Sequence, residues 1–230
     1  MSKHIAIVED EQTIADNYRD ALQRLGYRVS HYLDRASAIN AFDLSLPDLA
    51  IIDIGLGNDV EGGFELCREL RSRSPQLPII FLTARDSELD VISGLRLGAD
   101  DYLTKDISLA HISARIAALF RRLEALSTKV APQDQLQQGP LSLDTRRMQV
   151  AWREQAIDLT VTEFWIIHAL AQHPGHVKNR QQLMEAANVV LDDHTITSHI
   201  KRIRRKFQQV DAEFQAIQTA YGMGYRWRES

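Results

Sequence analysis

The stretch LAIIDIG at residues 49–55 is the tightest constraint in the sequence. Four consecutive apolar residues without alternation describe a strand covered on both faces, the habit of a parallel sheet flanked by helices. The run stops at a carboxylate, Asp53, and a buried chain ending in an acid needs a partner for that charge. Around it, strand and helix signals alternate at βα spacing. Strands are predicted at 4–8, 27–32, 49–54, 78–82 and 101–104, with helices near 12–25, 35–44, 64–73, 87–97 and 108–126. Five of each predict a doubly wound parallel sheet of order 2-1-3-4-5, whose ligands bind beyond the carboxyl ends of the strands at the switch point.

That rule sorts the polar residues. Strand one closes with Glu9 and Asp10, strand three with Asp53, and in this order the two strands are neighbours at the switch point. Three converging carboxylates repel one another unless a cation sits among them, and hard oxygen donors with open positions suit Mg²⁺. Strand four ends in Thr83 and strand five in Lys105, on the same edge. A hydroxyl and an ammonium there complete a cradle for a phosphoryl group, with Asp53 as its carboxylate nucleophile.

The back of the chain reads differently. Residues 1–124 carry a net charge of −6 and residues 125–230 a net charge of +2, together the chain's −4. Residues 125–138 include the polar, aperiodic STKVAPQDQLQQ and are predicted to be a linker between a domain at 1–124 and another at 139–230. Short antiparallel strands follow. Thr160 and Glu163 have capping-box spacing ahead of a helix with Phe164, Ile167, Leu170 and Ala171 on its apolar face. Further helices are predicted near 180–187 and 194–210, and YGMGYRW near the end has the glycines of a hairpin turn. In HTITSHIKRIRRKF, residues 194–207, Ile196, Ile200, Ile203 and Phe207 form one stripe. The stretch holds no acid. Ser198, Lys201, Arg202 and Arg205 are expected opposite the stripe, with Thr195, His199 and Lys206 on one shoulder and Arg204 on the other, a face suited to phosphates and major-groove edges.

The lone cysteine, Cys67, sits among Phe64, Leu66 and Leu70 and reads as a core residue of a chain in a reducing compartment. No apolar segment approaches a membrane span, so a cytoplasmic protein without membrane attachment is expected. Trp165 is expected in the core, and Trp152 and Trp227 either packed on strands or partly exposed.

VED at 8–10, Asp53, FLTAR at 81–85 and GADDYLTK at 98–105 resemble the receiver domain of bacterial two-component response regulators. LTVTEFWIIHALAQHPGHVKNRQQL, TITSHIKRIRRKF and YGMGYR resemble the winged-helix effector of the OmpR/PhoB type. The resemblance implies a flavodoxin-like receiver at 1–124 followed by a winged helix-turn-helix domain with an N-terminal antiparallel sheet. It implies a transcriptional regulator rather than an enzyme. Asp53 is then the phosphoacceptor; Glu9, Asp10, Asp53 and the carbonyl of Gly55 hold Mg²⁺; Thr83 and Lys105 contact the phosphoryl oxygens; Thr83 and Tyr102 form the switch. Thr195, Ser198, His199 and Arg202 are placed nearest base edges, Lys201, Arg204 and Arg205 nearer phosphates, and Thr219 on the wing. Asp100, Asp101 and Arg115 match the family's dimer interface. A sensor histidine kinase, promoter DNA, a second copy of the chain and RNA polymerase are the implied partners.

The chain departs from the family pattern in places. Asp106 stands where proline is usual, the loop after Asp53 has Gly55 where proline is common and is about two residues longer, and Tyr221 stands where arginine is common. Val91 and Ala110 replace usual basic residues of the dimer interface. Two rival readings remain open at this level. An aspartyl-phosphate hydrolase commonly needs a second acid two residues after the nucleophile, where this chain has Gly55; a receiver used only as a protein dock would leave DNA binding indifferent to Asp53.

Overall fold

The computed structural model describes residues 2–124, 135–187 and 193–228. The chain forms two compact units, Met1–Ala114 and Arg115–Ser230. In the first, β1 (His4–Val8), β2 (Arg28–Tyr32), β3 (Leu49–Ile52), β4 (Ile79–Thr83) and β5 (Asp101–Thr104) alternate with α1 (Gln12–Arg24), α2 (Arg35–Leu44), α3 (Gly62–Arg73), α4 (Glu88–Leu97) and α5 (Leu109–Glu124). The division between units falls inside α5, ahead of the 124/125 boundary expected from composition.

The strands form one sheet in the order β2-β1-β3-β4-β5, and the neighbours whose registers are assigned run parallel. All residues of β1, β3 and β4 are buried, as unbroken apolar runs require when helices cover both faces. Register then places the site. Val8 pairs with Ile52 across β1 and β3, so the next residues, Glu9 and Asp53, emerge side by side at the carboxyl edge. Thr83 pairs with Thr104 across β4 and β5, which puts Lys105 one step beyond on the same edge. β3 ends at Ile52 rather than at residue 54, leaving Asp53 at the start of the loop, its N–H still donating to the Val8 carbonyl at 2.9 Å.

The second unit has a four-stranded antiparallel sheet of β6 (Gln135–Gln138), β7 (Leu141–Asp144), β8 (Gln149–Trp152) and β9 (Gln155–Ala156). Helices α6 (Val161–Ala171), α7 (Arg180–Ala186) and α8 (Asp193–Val210) follow, and β10 (Ile217–Ala220) and β11 (Gly224–Trp227) form the closing hairpin. One expectation is corrected here. Residues 135–138, assigned to the linker for their polarity, form β6, because backbone pairing with β7 and the inward Leu136 opposite Leu143 supply what the composition lacks. Residues 125–134 of the expected linker, and Leu126 of the expected α5, lie outside the described residues.

The capping box at the start of α6 forms as the sequence spacing predicts, with Thr160 and Glu163 exchanging hydrogen bonds. Ile196, Ile200, Ile203 and Phe207 of α8 are all buried against α6 and the strands. Trp152 and Trp227 pack edge-to-face with one another, and both meet Phe207. Trp165, expected in the core, is only partly buried and lies edge-on to Phe164 and His168. Cys67 is buried, as expected.

The turn from β3 into α3 depends on a glycine. A Cβ on Gly63 would lie 2.0 Å from the Asp53 carbonyl oxygen, while the Gly63 N–H donates to the Ile54 carbonyl at 2.9 Å. The close approach holds the loop that carries Asp53, so Gly63→Ala is expected to lower the stability of the first unit by about 1–3 kcal/mol through overpacking. Urea unfolding of the full chain followed by far-ultraviolet circular dichroism would measure it; an unchanged midpoint would show that the backbone relaxes without cost.

Candidate phosphoacceptor site and nucleic-acid interface

At the carboxyl edge of the sheet, ligand oxygens of Glu9, Asp10 and Asp53 lie within 4.8 Å of one another. Glu9 and Asp53 are buried. The Lys105 ammonium bridges them, 2.8 Å from Glu9 Oε1 and 2.7 Å from Asp53 Oδ2. Asp53 Oδ1 accepts the Ile54 N–H at 2.6 Å. One cation therefore faces three carboxylates. Burial, aided by the Asp53 charge and opposed by the Lys105 hydrogen bond, pushes the Glu9 carboxyl up to about 7. Burial draws the Lys105 ammonium down, but its hydrogen bonds to Asp53 and Glu9 outweigh that and leave its pKa raised.

The surplus negative charge and the all-oxygen donor set fit Mg²⁺, which prefers one or two carboxylates and retains positions for water or phosphate oxygens. Gly55, expected to add its carbonyl, lies in the loop that leaves Asp53, beside the tight turn in which Leu56 and Asp59 bond each other.

Thr83 is buried, and its hydroxyl accepts the Arg85 N–H at 3.4 Å. Tyr102 is also buried, its hydroxyl donating to the Arg85 carbonyl at 2.9 Å. Burial first, and the Asp90 charge second, hold the Tyr102 phenol above its ordinary pKa. Arg85 is a residue that the sequence reading did not single out, although FLTAR contains it. Its guanidinium donates to the Val60 carbonyl at 2.8 Å and to Asp90 at 3.2 Å, so one residue links Thr83, Tyr102, the long loop after Asp53 and the start of α4. Asp106 accepts a hydrogen bond from the Thr104 hydroxyl.

Two of the expected dimer-interface residues face inward. Asp100 is fully buried, paired with Arg71 at 2.7 Å and accepting the Ile79 N–H at 3.1 Å, so its carboxylate is committed within its own unit. Asp101 is buried too and caps the Tyr102 N–H at 2.8 Å. Arg115 is partly exposed on α5.

The basic helix α8 shows a second correction. Ser198, His199 and Arg202, expected on an open face, are buried, with 8%, 0% and 4% of their surface exposed. Their side of the helix turns toward Glu163 of α6, which is fully buried and pairs with Arg202 and, at 2.7 Å, with Lys206. Arg202 also lies 3.0 Å from His199 Nδ1. A buried acid recruits the cations one turn apart, widening the inward face beyond the isoleucine stripe. Burial raises the Glu163 carboxyl, and the charges of Arg202 and Lys206 outweigh it, pulling the group to about 2.

The open face carries Lys201 and Arg205, exposed, with Thr197 partly exposed beside them. Arg204 is partly exposed and directs one nitrogen to the wing, 3.0 Å from the Ile217 carbonyl and 2.9 Å from the hydroxyl of the exposed Thr219. Thr195 lies on α8, but its side chain is outside the described residues. His168, partly buried on α6, is held below its ordinary pKa by desolvation.

Known proteins match both units in this order. Residues 5–117 match the response regulator receiver domain family, and residues 154–227 match the family described as transcriptional regulatory protein, C terminal. The chain is 37% identical over 225 residues to the transcriptional regulatory protein CreB of Escherichia coli K12, covering 96% of each chain. It is 38% identical over 231 residues to BaeR of Escherichia coli O6:H1, covering 97% of this chain and 92% of that one. The crystal structure of DrrB, a Thermotoga maritima OmpR/PhoB homologue, matches with a TM-score of 0.53 at 28% identity, over 99% of this chain and all of that one. The chain belongs to the OmpR/PhoB-type response regulators, two-component transcription regulators that bind DNA. Among the described residues no helix is long and apolar enough to cross a membrane.

The Glu163 pair makes stability depend on pH with a definite sign. The charges of Arg202 and Lys206 hold the native carboxyl at about 2, below its ordinary value of 4.5, so the stabilisation is complete above the unfolded value and is lost as pH falls through the native one. Thermal melts read by tryptophan fluorescence, which reports only the second unit because Trp152, Trp165 and Trp227 all lie there, should fall between about pH 4.5 and pH 2. Glu163→Gln should lower the melt at pH 7 by leaving the buried Arg202 and the partly exposed Lys206 uncompensated, a cost of roughly 3–5 kcal/mol, and should flatten the acid limb. An unaltered acid limb in Glu163→Gln would show that other carboxylates set it.

Proposed function

We propose that Asp53 accepts a phosphoryl group from the phosphohistidine of a sensor histidine kinase, and that the resulting acyl phosphate switches promoter binding by the second unit. The observation that carries the reading is the bridge from the Lys105 ammonium to Asp53 and Glu9 amid three converging carboxylates. In this reading an Asp53 oxygen attacks phosphorus, the phosphorus–nitrogen bond breaks, and its electron pair passes to the imidazole nitrogen of the donor. Lys105 moves its hydrogen bond from Asp53 to a phosphoryl oxygen, compensating charge on the transferred group. Glu9, Asp10, Asp53 and the Gly55 carbonyl would hold Mg²⁺, which supplies charge neutralisation and orients phosphate oxygens.

The acyl phosphate adds about −1.5 to −2 charge in place of one carboxylate charge. Thr83 then gains an acceptor for its hydroxyl and turns toward it. Because the Arg85 N–H rests on that hydroxyl and the Tyr102 hydroxyl on the Arg85 carbonyl, the movement reaches α4 and the β5 aromatic through bonds already in place. Receivers so altered pair through the surface of α4, β5 and α5, and two effector units then engage adjacent half-sites with the gain that effective concentration provides. Thr195, Lys201, Arg204, Arg205 and Thr219 remain the residues proposed to meet DNA. The protein acts in the cytoplasm, with RNA polymerase as a further partner.

Fluorescence anisotropy on a duplex selected from a randomised pool tests the switch. Acetyl phosphate with Mg²⁺ should tighten binding by the native chain roughly tenfold or more, within the range that linked sites give. Asp53→Asn should bind at the resting affinity and ignore the donor. A donor response retained in Asp53→Asn would refute the assignment and favour the reading in which the receiver is only a dock.

A further inference from the structure

Past the end of β2 a side chain stands in for the strand. The parallel ladder of β1 and β2 runs from the Arg28 N–H on the Lys3 carbonyl, at 2.9 Å, to the Glu9 N–H on the Tyr32 carbonyl, at 3.0 Å. Evenly spaced parallel pairing would next give the Glu9 carbonyl the N–H of residue 34. The chain has turned away by then. β2 ends at Tyr32, and Asp34 caps α2, its carboxylate accepting the Ser37 N–H at 2.7 Å. His31 fills the gap, its Nε2 donating to the Glu9 carbonyl at 2.7 Å. A carbonyl oxygen only accepts, so the hydrogen is on Nε2.

That carbonyl belongs to the peptide group joining Glu9 to Asp10, two of the three acids that converge at the sheet edge. Glu9 is 2% exposed, so its carbonyl has little access to water and needs a partner from the protein. The Tyr32 carbonyl and the His31 ring, neighbours in β2, thus grip both backbone polar groups of Glu9. Its side chain is fastened separately, Oε1 accepting from the Lys105 ammonium at 2.8 Å and from the Glu11 N–H at 3.3 Å. The His31 bond is the one that acts on the peptide plane between the two acids. Turning that plane swings the Cα of Asp10, and the Asp10 carboxylate moves with it.

Mg²⁺ demands near-octahedral geometry, so a carboxylate swung out of place weakens its hold directly. Groups beyond the ligands that fix their direction therefore matter, and losing one typically lowers metal affinity about ten- to a hundredfold. We infer that His31 is a positioning residue for the divalent cation: its ring sets the Glu9–Asp10 peptide so that both carboxylates face the Asp53 side of the sheet edge. The inference rests on the reading of Glu9, Asp10 and Asp53 as the Mg²⁺ site, and adds to it a residue from β2, a strand that supplies none of the acids.

Calorimetric titration of the full-length chain with magnesium chloride tests it. His31→Gln carries an amide nitrogen as many bonds from Cα as Nε2 is, and should bind Mg²⁺ as the native chain does. His31→Phe keeps a ring without the donor and should bind about tenfold more weakly, the low end of the range for a lost outer partner. Labelling by acetyl phosphate across a Mg²⁺ series gives a second reading: His31→Phe should need about tenfold more Mg²⁺ for half-maximal rate and still reach the native plateau. His31→Leu, also without the donor, replaces His31→Phe in both measurements if that variant does not fold. Equal Mg²⁺ affinity in the native chain and the donor-free variant would overturn the inference and leave the site reading standing. A lowered plateau with an unchanged Mg²⁺ midpoint would overturn it too, since a bond that only holds the fold gives that result. Absence of Mg²⁺ binding by the native chain would overturn the site reading and the inference with it.

Discussion

The parallel sheet can bury β1 and β3 only by bringing the carboxylates that end them into contact, and the rest of the first unit is arranged around that repulsion. Register leaves no freedom in the matter, since the pairing of Val8 with Ile52 makes Glu9 and Asp53 neighbours. A single ammonium, Lys105, lies between them and leaves negative charge over. The second unit holds an instructive contrast. Glu163 is buried as deeply as Glu9, but two cations face it, and its carboxyl is pulled to about 2 whereas Glu9 is pushed up to about 7. The acid with more cations than it needs fixes a helix; the acids with too few leave room for a metal ion and a phosphoryl group.

From that pocket a short chain of bonds leads outward. Thr83, Arg85 and Tyr102 are joined in sequence, and the Arg85 side chain extends the link to Val60 and Asp90. These contacts give the long loop after Asp53 a place in the account, since a guanidinium fastens it to the segment between β4 and α4. Few of these bonds are strong singly. A change at Thr83 acts on all of them because they share one residue.

Much of the fold and of the acid cluster was legible in the amino-acid sequence. The order 2-1-3-4-5 followed from alternation, and Glu9, Asp10, Asp53, Thr83 and Lys105 fell on one edge because strand ends are easy to locate when strands are short apolar runs. Side-chain direction on α8 was not legible. A helical stripe gives angles about one axis, and by those angles Ser198 and Arg202 lie opposite the isoleucines and His199 on a shoulder, which predicts an outward face. What turned them inward was Glu163, about 40 residues away, whose capping role accounted for it locally and concealed its second one. Asp100 was expected at a dimer surface only by resemblance, and its pairing with Arg71 on another element could not be read from its own neighbours. Residues 135–138 looked like linker because β6 draws its stability from backbone pairing with β7, which polarity does not report.

The account rests on nucleophilic competence of the carboxylate between Lys105 and the acid pair. Intact-mass analysis of the full chain after incubation with acetyl phosphate, with Mg²⁺ and with chelator in its place, measures this directly, and peptide mapping locates the modification. The account predicts a gain of about 80 Da, the mass of one phosphoryl group, on Asp53 in the presence of Mg²⁺ and none with chelator. A chain that stays unmodified with Mg²⁺, while a receiver of known competence is labelled alongside it, or a phosphoryl group mapped to another residue, would contradict it.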